Sequence, residues 1–304
     1  MLIEKNEDPV KTYCGYVAIV GRPNVGKSTL LNHLLKQKIS ITSRKPQTTR
    51  HRILGIETEG QYQCVFVDTP GFNSGENKAL NRIMNETVLS VIADVDLVLF
   101  VVDRLNFNGG DVQVLNLLKK SKVPIILAIN KIDLVKTKND FLPHIQRLSS
   151  LFQFAEIVPI SASTGYNLDL ITRLTTNFLP ESPFLFPTDQ ITDRSSRFLA
   201  AELIREKITR QLGDEIPYEA SVEIENFQDN EKIINIGGLI LVDKPGQKKI
   251  IVGKGGERLK RIGSVAREEM ETIFGKKIML RLWVKVKGGW ADDQRALQSL
   301  GFFD

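Results

Sequence analysis

The 304-residue sequence predicts an α/β domain, a mostly parallel sheet with helices on both faces, followed by a smaller α+β domain. Three observations predict this. From Tyr16 to about Leu179 short apolar runs alternate with amphipathic stretches, the order that a parallel sheet with crossover helices requires. Pro180, Pro183 and Pro187 then fall within eight residues, where no helix can continue. Beyond them the order becomes helix, strand, strand, helix, glycine loop, helix, strand. The divisions that follow are a first domain over 1–180, a linker over 181–192 and a second domain over 193–304.

The first strand is predicted at 15–20, because Tyr16-Val17-Ala18-Ile19-Val20 is apolar on both faces. It runs into Gly21-Arg22-Pro23-Asn24-Val25-Gly26-Lys27-Ser28-Thr29, which fills the Gly-x-x-x-x-Gly-Lys-Ser/Thr spacing and opens a helix at 27–37. Glycines let backbone N–H groups converge on phosphate oxygens, and the helix start adds partial positive charge. Lys27 would reach the β- and γ-phosphates and Ser28 would ligate Mg2+. This strand–loop–helix predicts a nucleoside triphosphate as ligand.

Strands at 52–58 and 62–67 come next, then Asp68-Thr69-Pro70-Gly71. A carboxylate at that strand end can hold the metal through water, and the Gly71 N–H can meet the γ-phosphate. Before these strands lies Lys45-Pro46-Gln47-Thr48-Thr49-Arg50-His51-Arg52. A switch loop needs a hydroxyl that reaches the metal only when the γ-phosphate is present; Thr49, or failing it Thr48, can supply one. Residues Phe72 to Lys78 would form a second switch. Phe72 stands where Ras-like GTPases carry a water-orienting glutamine, so unaided hydrolysis is expected to be slow.

Helices near 78–92, 111–121, 140–152 and 167–178 alternate with strands at 97–103, 123–129 and 156–160. Asn130-Lys131-Ile132-Asp133 ends one of these strands. The Asp133 carboxylate can accept from both N1–H and the N2 amine of guanine, a donor pair adenine lacks, so the motif selects GTP over ATP. Lys131 would lie along base and sugar, and Ser161-Ala162-Ser163 would offer a backbone N–H to guanine O6.

The second domain is predicted as a helix at 195–212, strands at 217–227 and 232–243 joined at Asp229-Asn230, a short helix at 246–252, a helix at 257–274 and a strand at 277–287. Between the last two helices lies Gly253-Lys254-Gly255-Gly256. Residues 244–287 hold 13 Lys/Arg against 4 Asp/Glu, although the whole chain carries only +5, so the basic footprint is local. A solvated lysine face is the bland account of such charge; nucleic acid or an anionic membrane surface is the functional one. A Gly-x-x-Gly loop between amphipathic flanks fits a KH module, where the sugar–phosphate backbone approaches the loop and an apolar groove receives unstacked bases. Lys254, Arg258, Lys260 and Arg261 would meet phosphates. Ile250, Ile251 and Val252 would line the groove or join the core.

Composition narrows the classes further. The apolar fraction of 42% and charged fraction of 25% are ordinary for a soluble globular protein. Met1 to Tyr13 read as neither a signal nor a transit peptide, and no apolar run nears the roughly 20 residues that span a bilayer, so a cytoplasmic location is expected. Cys14 and Cys64, the only cysteines, are too few for a disulfide framework or a cysteine-ligated zinc site.

With these motifs in place, the sequence resembles the Era-type GTPases, a bacterial family of small-ribosomal-subunit assembly. The resemblance runs over nearly the whole length, through residues 21–28, Gln47-Thr48-Thr49-Arg50-His51, Asp68 to Gly71, Asn130 to Asp133, Val252 to Gly256 and the tail Gly288-Gly289-Trp290-Ala291-Asp292-Asp293. It implies a P-loop GTPase domain followed by a type II KH domain. It also implies cycling between GTP and GDP with Mg2+, and binding near the 3′ end of small-subunit ribosomal RNA in the 30S precursor. Peripheral association with the inner face of the cell membrane is implied as well. An asparagine at the Asn24 position implies a potassium ion in place of an arginine finger, which sets Asn24 beside Lys27, Thr49 and Gly71 as the catalytic group. Residues before Tyr13 match no family motif, and a monomer is the default expectation. A tRNA-modifying GTPase would need a cysteine after Cys64, and a tandem-domain GTPase a second phosphate loop; the chain has neither. An RNA- or membrane-docking protein with a nucleotide-gated surface and negligible turnover would share the motifs, and Phe72 leaves that alternative open.

Overall fold

The structure is a computed structural model that describes residues 11–43, 45, 48–72, 79–135, 141–212, 220–290 and 298. Gln47, the second switch beyond Phe72 and the tail residues Ala291, Asp292 and Asp293 lie outside the described residues.

The first sheet comprises β1 (Tyr13–Val20), β2 (Ile53–Glu59), β3 (Tyr62–Asp68), β4 (Leu97–Asp103), β5 (Ile125–Asn130) and β6 (Glu156–Pro159) in the order β2-β3-β1-β4-β5-β6. Only the β2–β3 pair is antiparallel. The apolar runs alternate faces as strands must. In β4, Leu97, Leu99 and Val101 join one core, while Val98, Phe100 and Val102 join the other. Helices α1 (Lys27–Leu34) and α5 (Leu168–Thr176) close the first core; α2 (Ala79–Ala93), α3 (Gly109–Leu118) and α4 (Phe141–Ser149) close the second. Each fully buried Leu, Val or Phe side chain contributes roughly 1.5–3 kcal/mol. After β1 the chain first builds towards β3, then returns to the other side at β4. The loop after β1 therefore sits at the topological switch point, where open α/β sheets bind ligands.

The second unit contains α6 (Ser196–Gln211), β7 (Ala220–Asp229), β8 (Ile233–Val242), α7 (Pro245–Val252), α8 (Glu257–Phe274) and β9 (Lys277–Val286). Its sheet runs β7-β8-β9, antiparallel then parallel. The start predicted for the first of these strands, 217–219, lies outside the described residues. The hairpin turn closes one residue later than predicted, with the Asn230 N–H donating to Ile233 O at 3.1 Å. Ser195 caps α6, its Oγ accepting from Phe198 N at 3.2 Å. Glu202, Arg205, Glu206 and Lys207 of α6 are buried despite their charge, because this helix is covered on two sides: by its own sheet and by the loop after α1.

The segment expected to be a linker is fastened to the first sheet. Fully buried Gln63 accepts from Leu185 N (2.9 Å) and Phe186 N (3.0 Å) and donates to Phe186 O (2.8 Å). Ile56 N donates to Ile191 O at 2.8 Å, and Leu54 N to Asp193 Oδ1 at 3.1 Å, so residues 191–193 cover the outer edge of β2. Prolines forbid a helix there, but they do not forbid adhesion. Cys14 and Cys64 are free buried thiols in different cores. Among the described residues no helix is long and apolar enough to cross a membrane.

Candidate nucleotide and nucleic-acid sites

The loop from Gly21 to Gly26 curls around its own lysine. Lys27 Nζ donates to Gly21 O (3.0 Å) and Arg22 O (3.1 Å), and burial lowers its pKa to about 8, with Asp68 opposing the shift. Gly26 adopts φ 102°, and a Cβ there would lie 2.3 Å from Asn130 Nδ2, so the loop's contact with the base-recognition motif requires glycine. Asn24 is exposed at φ 65° on the rim of a cavity of about 400 Å³, which Pro23, Lys27, Ser28, Thr29, Thr49 and Gly71 also line. Val25 is fully buried, and Thr69 Oγ1 donates to Ile19 O at 2.8 Å; both shape the loops from behind. Pro70, buried beside them, leads to Gly71, where a Cβ would meet Pro23 at 2.8 Å.

Asp68, the last residue of β3, gathers hydroxyls. Its Oδ2 accepts from Ser28 Oγ and from Ser40 Oγ, each at 2.8 Å, and Ser28 Oγ lies 2.7 Å from Thr49 Oγ1. Burial pushes the carboxyl above its ordinary value, while Lys27 and the Ser28, Ser40 and Thr49 hydroxyls oppose the shift. Oδ1 is buried with no hydrogen-bond partner among the described residues. An unpartnered buried carboxylate oxygen is costly. An oxygen-only cluster built around it is what Mg2+ accepts, so Ser28, Thr49 and Asp68 fit as its holders. When bound, the ion would supply positive charge that offsets the negative charge developing on the phosphates. Between the two threonines the geometry chooses Thr49: Thr48 Oγ1 donates to Lys45 O at 2.7 Å instead.

The base end is tied by Asn130. Its Nδ2 donates to Val25 O (2.8 Å), and its Oδ1 accepts from Lys131 N (2.8 Å) and Ala162 N (2.9 Å). The Ala162 N–H thus joins two loops, and Ser161-Ala162-Ser163, the segment expected to offer an N–H to guanine O6, is held against the base-recognition motif. Lys131, at φ 64°, donates from Nζ to Asn24 O (2.7 Å) and Asp103 Oδ2 (2.8 Å). Exposed Asp133 accepts from Ser161 Oγ at 2.6 Å.

Arg22, expected within the nucleotide-binding loop, has its side chain engaged by the scaffold. Its Nε donates to both Asp111 oxygens at 3.1 and 3.0 Å, which ties the phosphate loop to the start of α3. Ser40, Asp103 and Asp111 were not legible as site residues. The one faint signal was Ser40, a lone hydroxyl between Ile39 and Ile41.

In the second unit, Gly253, Gly255 and Gly256 take φ of 72°, 60° and 83°, conformations that favour glycine. Lys254, Lys260 and Arg261 are exposed. Arg258, expected to meet phosphate, is exposed as well and donates from Nη1 to Ile250 O at 2.7 Å, which closes the loop onto α7. A cavity of about 350 Å³ opens between α8 and β9, lined by Gly256, Leu259, Lys260, Gly263, Arg267, Leu280 and Leu282. The groove therefore takes its walls from α8 and β9. Ile251 is fully buried, and Ile250 and Val252 pack partly against the same core because α7 turns its apolar face to the sheet.

Comparison with known proteins finds relatives of both units. A family model described as 50S ribosome-binding GTPase matches residues 16–131, and one described as KH domain matches 215–291. GTPase Era of Ectopseudomonas mendocina is 61% identical over 291 residues, covering 96% of this chain and 97% of its own length. GTPase Era of Azotobacter vinelandii is 59% identical with the same coverage. Two solved structures reach a TM-score of 0.92 at 40% identity, covering 96% of this chain and 99% of their own. One is Era in complex with MgGDPNP and nucleotides 1506–1542 of 16S ribosomal RNA; the other is an Aquifex aeolicus Era variant bound to GDP and aluminium fluoride.

Proposed function

The chain belongs to the GTPase Era family, and from that premise we propose that it binds small-subunit ribosomal RNA near the 3′ end under the control of GTP and so assists 30S assembly. It is a GTPase built as a P-loop domain followed by a KH domain. In this reading residues up to 180 hold the nucleotide, 181–192 form the strap and 193–304 hold RNA. Lys27, Gly71 and the loop N–H groups meet phosphates, Ser28, Thr49 and Asp68 hold Mg2+, and Asp133 reads guanine. Lys254, Lys260 and Arg261 meet the RNA backbone beside the α8–β9 groove.

One observation carries the proposal. A single segment joins the metal cluster to the RNA-binding unit: Ser40 and Thr49 contact Asp68 and Ser28, while Thr42 N donates to Glu206 at 2.9 Å and Thr48 O accepts from Arg205. A change in Thr49 on loss of the γ-phosphate would be felt by α6, which packs against the KH sheet. RNA affinity measured on the full chain with a GTP analogue, with GDP and without nucleotide, at one stated salt concentration, tests this. Tighter binding with the analogue is expected, and equal affinities would separate the two activities. Anionic vesicles in the same assay test the membrane association expected from the family; binding to vesicles but not RNA would overturn the RNA reading. Asn24, on the cavity rim, would help hold a potassium ion. Turnover should then be faster in potassium than in sodium at matched ionic strength, and equal rates would remove that role.

A further inference from the structure

We propose that the outer face of the KH sheet, centred on Trp283, is a second contact surface for single-stranded RNA, separate from the α8–β9 groove. The inference rests on the reading of this chain as an RNA binder.

The chain has two tryptophans with opposite fates. Trp290 is fully buried, whereas Trp283 keeps 39% of its surface exposed in the middle of a regular strand. The faces of β9 separate cleanly. Ile278 and Val284 are buried and Leu280 and Leu282 half-buried, while Lys277, Met279, Arg281, Trp283 and Lys285 alternate with them and are exposed.

Two adjacent glycines on β8 fix which face is which. A Cβ on Gly238 would meet Leu282 (2.9 Å) and Ile204 (3.2 Å), on the side of α6 and the groove. A Cβ on Gly237 would lie 3.0 Å from Trp283 Cη2 and 3.5 Å from Cζ3, on the opposite side. The indole thus leans across the backbone of the neighbouring strand, which glycine alone leaves clear. That backing holds the ring in place while part of it remains open to solvent, the arrangement of a stacking platform.

The charge around it selects the occupant. Arg281 and Lys285 flank Trp283 on the same face, about 7 Å away along the strand on either side. Both are exposed. Lys277 is partly engaged, 3.6 Å from Glu271. Glu223 stands two strands away in the row of Trp283 and Leu239, so the positive stripe is confined to β9. Cations on an edge strand also discourage strand addition, but an exposed indole and the exposed Met279 do not serve that end. An aromatic face between two cations matches a polyanion with stackable bases. Because the groove and the platform lie on opposite sides of one edge strand, an RNA longer than the groove would pass around β9 to reach Trp283.

The test uses the full chain and two RNAs of small-subunit 3′-end sequence: about four nucleotides, enough for a KH groove, and a strand several times longer. The longer RNA should quench the emission of Trp283, and Trp283→Phe should abolish that signal because Trp290 is buried. Trp283→Ala, and separately Arg281→Ala with Lys285→Ala, should weaken the longer RNA on the order of tenfold, the effect expected for one stacked base. Affinity for the short RNA and GTP turnover should stay unchanged, which also reports that the variants fold. Equal affinity of native and variant chains for the longer RNA would overturn the second surface and leave the groove intact. Failure of both RNAs to bind would overturn the RNA reading itself.

Discussion

Arg22 lies within the phosphate-loop sequence, yet its guanidinium serves the scaffold. Asp111 receives it while also accepting from Asn108 N at 3.0 Å, so one buried carboxylate joins the loop to the cap of α3. Burial pushes the Asp111 carboxyl up, and the Asn108 N–H and Arg22 oppose the shift. Asp111→Ala deprives Arg22, only 17% exposed, of its carboxylate and removes one half of the α3 capping box, the Asn108 N–H acceptor. A loss of about 3 kcal/mol is expected. Denaturant midpoints would measure it, and nucleotide affinity should fall with them; an unchanged midpoint would show the pair to be dispensable. The residues that chemistry needs at fixed spacing, Lys27, Ser28, Asp68, Asn130 and Asp133, were legible because each motif is local. Ser40, Asp103 and Asp111 escaped because they meet their partners Asp68, Lys131 and Arg22 across 28, 28 and 89 positions. No local pattern encodes such a meeting.

At the scale of elements, period and punctuation predicted every described strand and long helix. What they missed was which side each element turns to its neighbours. The helix at 195–212 was legible as a helix, but its burial on two sides depends on a loop some 160 residues earlier. The isoleucines of α7 were weighed as groove or core, and the groove went to Leu280 and Leu282 of β9, which line it with Leu259 and Gly263 of the preceding helix α8. The strap depends chiefly on Gln63, whose amide satisfies three backbone groups of residues 185 and 186 and also donates to Thr58 Oγ1 at 3.0 Å. Gln63→Leu keeps the volume but strands those groups, at roughly 1–3 kcal/mol for each that water cannot reach. Amide exchange at Leu185 and Phe186 should accelerate by more than tenfold; unchanged protection would mean that Phe184 and Phe186 hold the strap by packing alone.

At the scale of the molecule, the two units meet through charge. Fully buried Glu206 accepts from Lys38 (2.7 Å), Lys207 (2.6 Å) and Arg210 (3.0 Å) as well as Thr42 N, and Lys38 and Lys207 also reach Glu269. Burial alone would raise the Glu206 carboxyl, but hydrogen bonds from Lys207 and Lys38 outweigh it and hold the group below its ordinary value of 4.5. Glu269 is lowered by the same two lysines against its own burial. A carboxyl with a depressed folded-state pKa adds stability that is fully present above its unfolded value and is lost as pH falls through the folded one. The interface should therefore hold at neutral pH and weaken below about pH 4.5. Glu206→Gln should lower stability near neutrality and flatten its acid dependence. It should also narrow the gap in RNA affinity between GTP-analogue and GDP states; an undiminished gap would place the coupling elsewhere. None of this was legible in the sequence, because Lys38 meets Glu206 across 168 positions and Lys207 meets Glu269 across 62.

The strap also has a consequence in time. Strand β2 is made early, but the residues that cover its outer edge, Ile191 to Asp193, follow the completion of β6 at Pro159 by more than thirty positions. At about 5–20 residues per second of synthesis, a nascent chain that has already closed its nucleotide sheet carries a bare hydrogen-bonding edge for seconds. A chain stopped at residue 180 would carry it permanently. Such a truncated nucleotide domain should self-associate where one extended to residue 195 stays dispersed.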